Sequence, residues 1–145
     1  MKLMLDNNVL IDAITNRAPF SENARKILML CAKETASGFI SANSATDIFY
    51  VLQRLLGYEA ANKAVWGLLQ SLYTITVTHA DCIKALQMPI RDFEDALLVL
   101  CAIKIQPDYI VTRDEEFLKA DLPIPIVSPE KLLEILVDAK LCDLF

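Results

Sequence analysis

Short apolar or β-branched runs alternate with longer helix-patterned segments from one end of this chain to the other, and that alternation constrains the fold more than any single residue does. Residues 3–5 read as a first strand and 9–15 as a short helix. Ser21-Glu22-Asn23 caps a helix running to about residue 35, and Gly38-Phe39-Ile40-Ser41 is a second strand. Within 44–56, Ile48, Val51, Leu52 and Leu55 fall at i, i+3, i+4 and i+7, a helix stripe that Gly57 ends. A further helix covers 59–72, residues 74–78 form a β-branched strand, and a short helix over 83–86 stops before Pro89. Asp92 opens a helix that reaches 105, followed by a strand at 109–112, a helical turn at 115–119 and a last strand at 124–127. Ser128 as N-cap and Pro129 at the first position start the final helix. With short connections and no linker, repeat or low-complexity segment, the pattern predicts an α/β fold. It is one three-layer domain over 1–145, with a central, mostly parallel sheet flanked by helices.

Composition narrows the function. The content is 54% hydrophobic, yet the longest unbroken apolar run, residues 96–103, falls far short of the roughly 18 needed to span a bilayer. The opening residues lack a signal-peptide apolar region and cleavage site, so the chain is expected to be cytoplasmic and to need no membrane. Cys31, Cys82, Cys101 and Cys142 are scattered with no C-x-x-C pair, which suits reduced thiols better than disulfides or zinc. His79 is the one histidine and has no ligand partner in sequence, so a cap or surface role is expected for it. A net charge of −5 argues against binding nucleic acid through a general basic surface. It leaves room for an acidic site neutralised by cations.

The acids supply that site. In open parallel sheets, ligands sit outside the carboxyl ends of the strands. Asp6 ends the first strand, Asp47 lies early in the helix after the second, and Asp114 follows the strand at 109–112. Asp95 lies in the first turn of its helix, and its distance from the edge depends on the path of the chain around Pro89. Each acid also has a structural explanation: Asp6 and Asp114 as caps at strand-to-helix turns, Asp92 and Asp95 as a capping-box-like pair, Asp47 as a solvated flank. Acids at one edge after several separate elements exceed what capping requires. Asp92 and Glu116 are expected at the margin, and Asp12 is read as peripheral. Like charges that converge repel unless a cation joins them. All-oxygen ligation points to Mg²⁺ or Mn²⁺.

These residues resemble a PIN-domain ribonuclease, the family that includes the VapC-type toxins of toxin–antitoxin pairs, over nearly the whole chain. Asp6-Asn7-Asn8-Val9-Leu10-Ile11-Asp12 is similar to the family's opening motif. The stretch Ser41 to Asp47 resembles its second, with Asp47 one carbon shorter than the usual Glu. Asp95-Ala96-Leu97-Leu98 resembles the third motif, and Ile110 to Phe117 the fourth and most specific. The resemblance implies metal-dependent hydrolysis of RNA phosphodiesters, with Asp6, Asp47, Asp95 and Asp114 as metal ligands and catalytic groups. It further implies that Asn7 or Asn8, Ser44 and Thr112 position water or phosphate, and that Arg17, Arg91 and Arg113 contact the RNA backbone. The partners implied are an RNA substrate, an antitoxin and a second copy of the chain. A phosphoacceptor domain wants an acid pair after the first strand and a late lysine, and an Asp-based phosphatase wants Asp-x-Asp. Here Asn7 and Asn8 follow Asp6, and Arg113 and Asp114 follow the late strand. A non-catalytic interaction module of the same fold stands as the rival, favoured by the apolar content.

Overall fold

The computed structural model describes residues 1–139. The elements run β1 (Lys2–Leu5), α1 (Asn7–Thr15), α2 (Ser21–Ala32), β2 (Ser37–Ser41), α3 (Ala42–Leu56), α4 (Tyr58–Ser71), β3 (Leu72–Ile75), α5 (His79–Gln87), α6 (Phe93–Ile105), β4 (Tyr109–Val111), α7 (Glu115–Leu118), β5 (Ile126–Val127) and α8 (Pro129–Asp138). The five strands form one sheet in the order β3-β2-β1-β4-β5, and every pairing is parallel. Parallel strands need crossover connections, which the helices supply.

β1 is central and completely buried from Leu3 to Leu5. Its period of two splits the core. Leu3 and Leu5 face a cluster built with Val9, Leu10, Ile27, Leu30, Ile48, Leu52 and Leu132. Met4 faces the opposite cluster with Leu98, Val99, Ala102, Ile110 and Phe117. The expected three layers follow, with α1 to α4 and α8 on one face and α6 and α7 on the other. Residues 96–102 of α6 are all buried, because the helix is sandwiched: Leu98, Val99 and Ala102 pack on the sheet, while Ala96, Leu97 and Leu100 pack with Ala85 of α5.

Strand order places the functional edge. The chain moves outward from β1 to β2 and β3, then returns to β4 on the other side of β1. Crossovers on the two sides diverge there, and in open α/β sheets the carboxyl ends of the strands beside such a switch point, here β1 and β4, are where a ligand crevice is expected.

Several boundaries differ from expectation for local reasons. The strand expected at 74–78 lies at Leu72–Ile75, because Ile75 pairs with Ser41, where β2 ends and α3 begins. Thr78 instead caps α5 in a capping box with Asp81, so that helix starts at His79, well before the expected 83. β5 is only Ile126–Val127, although the Pro125 carbonyl still accepts from the Ile110 N–H at 2.9 Å. α2 begins at Ser21 behind Phe20, which makes no side-chain cap bond, and ends at Ala32. Ser128 and Pro129 open α8 as expected. Cys31 and Cys101 are buried, Cys82 is half-buried, and all three are free thiols; Cys142 lies outside the described residues. His79 is exposed at the start of α5. No helix among the described residues is long and apolar enough to cross a membrane.

Gly38, in β2, tests this packing. A Cβ there would lie 2.5 Å from Leu72 Cδ2 and 2.6 Å from Cys31 Sγ. Gly38→Ala is therefore expected to lower stability by ~1–3 kcal/mol in urea unfolding, the usual cost of overpacking a filled core. A neutral result would mean that β2, β3 and α2 are packed less tightly than described.

Candidate active site

Asp6 sits where β1 becomes α1. Its N–H continues the ladder to the Val111 carbonyl at 3.0 Å, and its φ and ψ of −81° and 152° make it the N-cap of α1. The side chain is buried at 6% exposure. One carboxylate oxygen accepts from the Asn7 N–H at 2.7 Å. The other accepts from the Thr112 hydroxyl at 2.7 Å and the Asn8 amide at 2.9 Å. Burial nevertheless pushes its pKa up, and the charge of Asp114 adds to that; the Thr112, Asn7 and Asn8 bonds pull the other way.

Thr112, fully buried just beyond β4, joins the two central loops. Its N–H donates to the Val127 carbonyl at 3.0 Å, and its hydroxyl oxygen accepts from the Asp114 N–H and the Asn8 amide, each at 3.1 Å. Asp114 then caps α7, with Oδ1 accepting from the Glu116 and Phe117 N–H groups at 2.9 and 3.2 Å.

The first turn of α6 brings three more acids to this edge. Asp92 caps the helix through the Asp95 N–H at 3.0 Å. Asp95 has its pKa pushed up to about 7, by desolvation first and then by the charges of Asp92, Asp6, Asp114 and Glu94. Glu94 is raised by desolvation, then by Asp47, Asp6 and Asp92, against a hydrogen bond from the Asn7 side-chain amide. The path around Pro89 thus delivers α6 with its N-terminus at the carboxyl edge, a placement that sequence leaves open.

Asp6, Asp95 and Asp114 therefore act on one another directly, whereas Asp47 acts on the group through Glu94. Glu94 was not among the sequence candidates. Its one signal is position: it shares the first helical turn with Asp95, where an acid also suits the helix dipole. Glu116 lends Asp114 a backbone N–H.

The residues expected to touch substrate are placed differently. Ser44 is buried, its hydroxyl 2.7 Å from that of Ser41, at the start of α3. Thr112 is committed to Asp6. The Arg113 guanidinium forms a bidentate pair with buried Asp12, Nη2 to Oδ1 at 3.1 Å and Nε to Oδ2, and lies 4.5 Å above the Phe20 ring. Arg17 and Arg91 are exposed and make no ion pair among the described residues. Asn7 donates to Glu94, and its buried side-chain oxygen has no hydrogen-bond partner.

The donors available to a cation are thus carboxylates and the orphaned Asn7 amide oxygen, a set that suits Mg²⁺ or Mn²⁺. Among the described residues, no three carboxylate, histidine or cysteine side chains form a group that could hold a metal ion as they stand. Ligation by three of them therefore requires side-chain rotation toward a common point.

A family model described as PIN domain matches residues 2–116. No curated protein sequence matches the chain. Among solved structures, the Mycobacterium tuberculosis VapC20 toxin, a sarcin–ricin-loop-cleaving protein, is similar with a TM-score of 0.66 at 17% identity, covering 79% of this chain and 92% of that one. A chain of the Rickettsia felis VapBC2 complex bound to a promoter DNA fragment gives 0.64 at 18% identity, covering 88% and 98%. A chain of a Klebsiella pneumoniae toxin–antitoxin complex gives 0.63 at 17%, covering 88% and 97%. At such identities the likeness is one of fold.

The raised acids predict a pH dependence. Asp6, Glu94 and Asp95 titrate higher in the folded chain than in the unfolded one, so between the unfolded carboxylate range near pH 4 and the Asp95 value of about 7 the folded state binds more protons. Their contribution to stability therefore falls as pH rises through that window. The lowered pKa values of Glu22 and Asp81 act the opposite way, adding stability as pH rises through the unfolded carboxylate range and contributing a constant amount above about pH 5.5. Thermal unfolding in chelator should show Tm decreasing from about pH 5 to 7.5, with a shallower slope in Asp95→Asn. A Tm that climbs across this window would contradict the crowding.

Proposed function

The chain belongs to the PIN-domain family, and from that premise we propose that it is a Mg²⁺- or Mn²⁺-dependent endoribonuclease acting as the toxin of a toxin–antitoxin pair. The observation that carries this reading is the convergence of acids from four separate places in the fold on the crevice beside β1 and β4: Asp6, Asp47, the Glu94–Asp95 turn and Asp114. Asp6, Asp95 and Asp114 form the inner set of proposed ligands, and Asp47 stands at the edge of the group, coupled to it by its charge interaction with Glu94.

A divalent cation bound there would activate water and offset charge on the scissile phosphate and the leaving oxygen. The chain's own residues prepare for this. Thr112 and Asn8 hold the Asp6 carboxylate in one orientation through two hydrogen bonds to the same oxygen. Asp95 keeps its proton to about pH 7 and must release it to become a ligand, so binding should strengthen as pH rises and should liberate protons. Asn7 fixes Glu94 and offers its unpartnered side-chain oxygen to the same region. Exposed Arg17 and Arg91 are the proposed contacts to the RNA backbone; Ser44, Thr112 and Arg113 act by ordering the loops around the acids.

A protein partner is part of the proposal. Tyr50, Leu55, Leu56, Tyr58 and Trp66 of α3 and α4 are all exposed, Trp66 by 69%. Such an apolar surface suits a second copy of the chain and an antitoxin. Similar solved structures include toxin–antitoxin complexes, which supports the antitoxin. The same surface favours the non-catalytic rival, so activity has to decide.

Single-stranded or looped RNA should be cut in Mg²⁺ or Mn²⁺ and left intact in chelator. Asp6→Asn and Asp114→Asn retain the cap chemistry and should keep the circular-dichroism spectrum of the parent while lowering the cleavage rate by ~10² or more, as removal of a single charge-stabilising group does elsewhere. If both variants cut as fast as the parent, or if RNA and partner binding are all that is found and neither depends on metal, the interaction-module reading replaces this one.

A further inference from the structure

We propose that the Asp12–Arg113 ion pair, stacked against Phe20, is a positioning device that fixes the Asp114 arm against Asp6 and thereby sets the affinity and ion selectivity of the carboxylate site. The proposal rests on the metal-dependent reading above and gives roles to three residues that it leaves outside the cation's reach.

Arg113 lies between Thr112, which bonds Asp6, and Asp114 itself. Whatever immobilises Arg113 therefore immobilises the residue carrying the second inner carboxylate. Three ties to α1 act on this stretch in succession. The Thr112 hydroxyl donates to Asp6 at 2.7 Å, the Arg113 N–H donates to the Asn8 side-chain oxygen at 3.2 Å, and the guanidinium grips Asp12 through Nη2 at 3.1 Å and through Nε. Asn8 and Asp12 stand four residues apart on α1, which puts them on one face of the helix, one turn above the other. The strand-to-helix loop after β4 is thus laid along that face from Asp6 downward.

The chemistry of the lowest tie explains why it should hold direction as well as place. Asp12 is 1% exposed, and an acid so buried is retained only with a bonded counter-charge. A guanidinium meets a carboxylate with two parallel bonds, fixing orientation in a way that an ammonium cannot. Phe20, in the turn before α2, covers the guanidinium at 4.5 Å and anchors it from the other side. Asp114 Oδ1 is already held by the α7 amides, so the clamp leaves the approach of Oδ2 to Asp6 as the adjustable quantity. Mg²⁺ demands near-ideal octahedral geometry at short distances, whereas Ca²⁺ accepts looser and more variable shells. A clamp of this kind should therefore matter far more for Mg²⁺ than for Ca²⁺.

The test is calorimetric titration of the chelator-treated full chain with Mg²⁺, Mn²⁺ and Ca²⁺. It compares the parent with Arg113→Lys, Arg113→Met, Phe20→Leu and, as a control, Lys131→Met, which removes an exposed ion pair with Glu134 on α8. Hydrogen exchange at the Asp114 and Phe117 amides is measured in parallel. Arg113→Lys and Arg113→Met should weaken Mg²⁺ about 10–100-fold, as loss of a ligand-orienting partner does, while Ca²⁺ changes by no more than about threefold. Phe20→Leu should act in the same direction and less, and Lys131→Met should leave all three ions as in the parent. Exchange should quicken at Asp114 and Phe117 and stay slow through α6. Should Arg113→Met not fold, Arg113→Lys, which keeps Asp12 paired with a charge, carries the test. Equal losses of Mg²⁺ and Ca²⁺, or unchanged Mg²⁺ affinity in both Arg113 variants of a protein whose parent binds it, would overturn the clamp and leave the nuclease reading standing. A parent that binds neither Mg²⁺ nor Mn²⁺ and cuts no RNA would remove the nuclease reading itself.

Discussion

Burial of a carboxylate at the end of the central strand is the constraint around which this structure is organised. Asp6 leaves water at the point where β1 gives way to α1, and a buried charge of that kind requires donors on every accessible side. The chain supplies them from two places distant in sequence, Asn7 and Asn8 on its own helix and Thr112 beyond β4. Meeting the needs of Asp6 therefore welds the carboxyl ends of β1 and β4 together and brings Asp114 within electrostatic range.

At α1 and α7 the capping residue, Asp6 or Asp114, is also a proposed ligand, whereas at α6 the cap is Asp92 and the proposed ligand is Asp95. In a parallel sheet, a helix that follows a strand starts at the carboxyl edge, so its orphaned N–H groups and positive dipole end point there. Asp6, Asp92 and Asp114 cap α1, α6 and α7. The dipoles offset part of the repulsion among these acids, yet desolvation, joined by the neighbouring carboxylate charges, still pushes the Asp95 pKa up to about 7. The edge thus keeps an unrelieved demand for positive charge, which gives the cation its place in the proposed chemistry.

Legibility in the sequence followed the range of the interaction. The parallel α/β architecture, the Ser128-Pro129 helix start and the edge placement of Asp6 and Asp114 come from chain direction and local periodicity. Boundaries set by a neighbour were not legible: β3 starts at Leu72 because its ladder partner β2 ends at Ser41, and no propensity within 74–78 encodes that. The role of Arg113 depends on Asp12, 101 residues away. A surface arginine and a helix-end arginine look alike until the partner is known. Glu94 is not legible from the sequence, because adjacent positions on a first turn differ only in azimuth, and the direction of α6 is decided by packing between the sheet and α5.

Closure of these acids on one cation can be seen in crystals of the full chain soaked in Mn²⁺ and measured at the Mn absorption edge. An anomalous peak is expected beside the carboxyl ends of β1 and β4, about 2.0–2.2 Å from carboxylate oxygens of Asp6 and Asp114 and of at least one of Glu94 and Asp95, with side chains rotated toward it. A peak elsewhere on the molecule with this edge unchanged, or no peak at millimolar Mn²⁺, would contradict that closure.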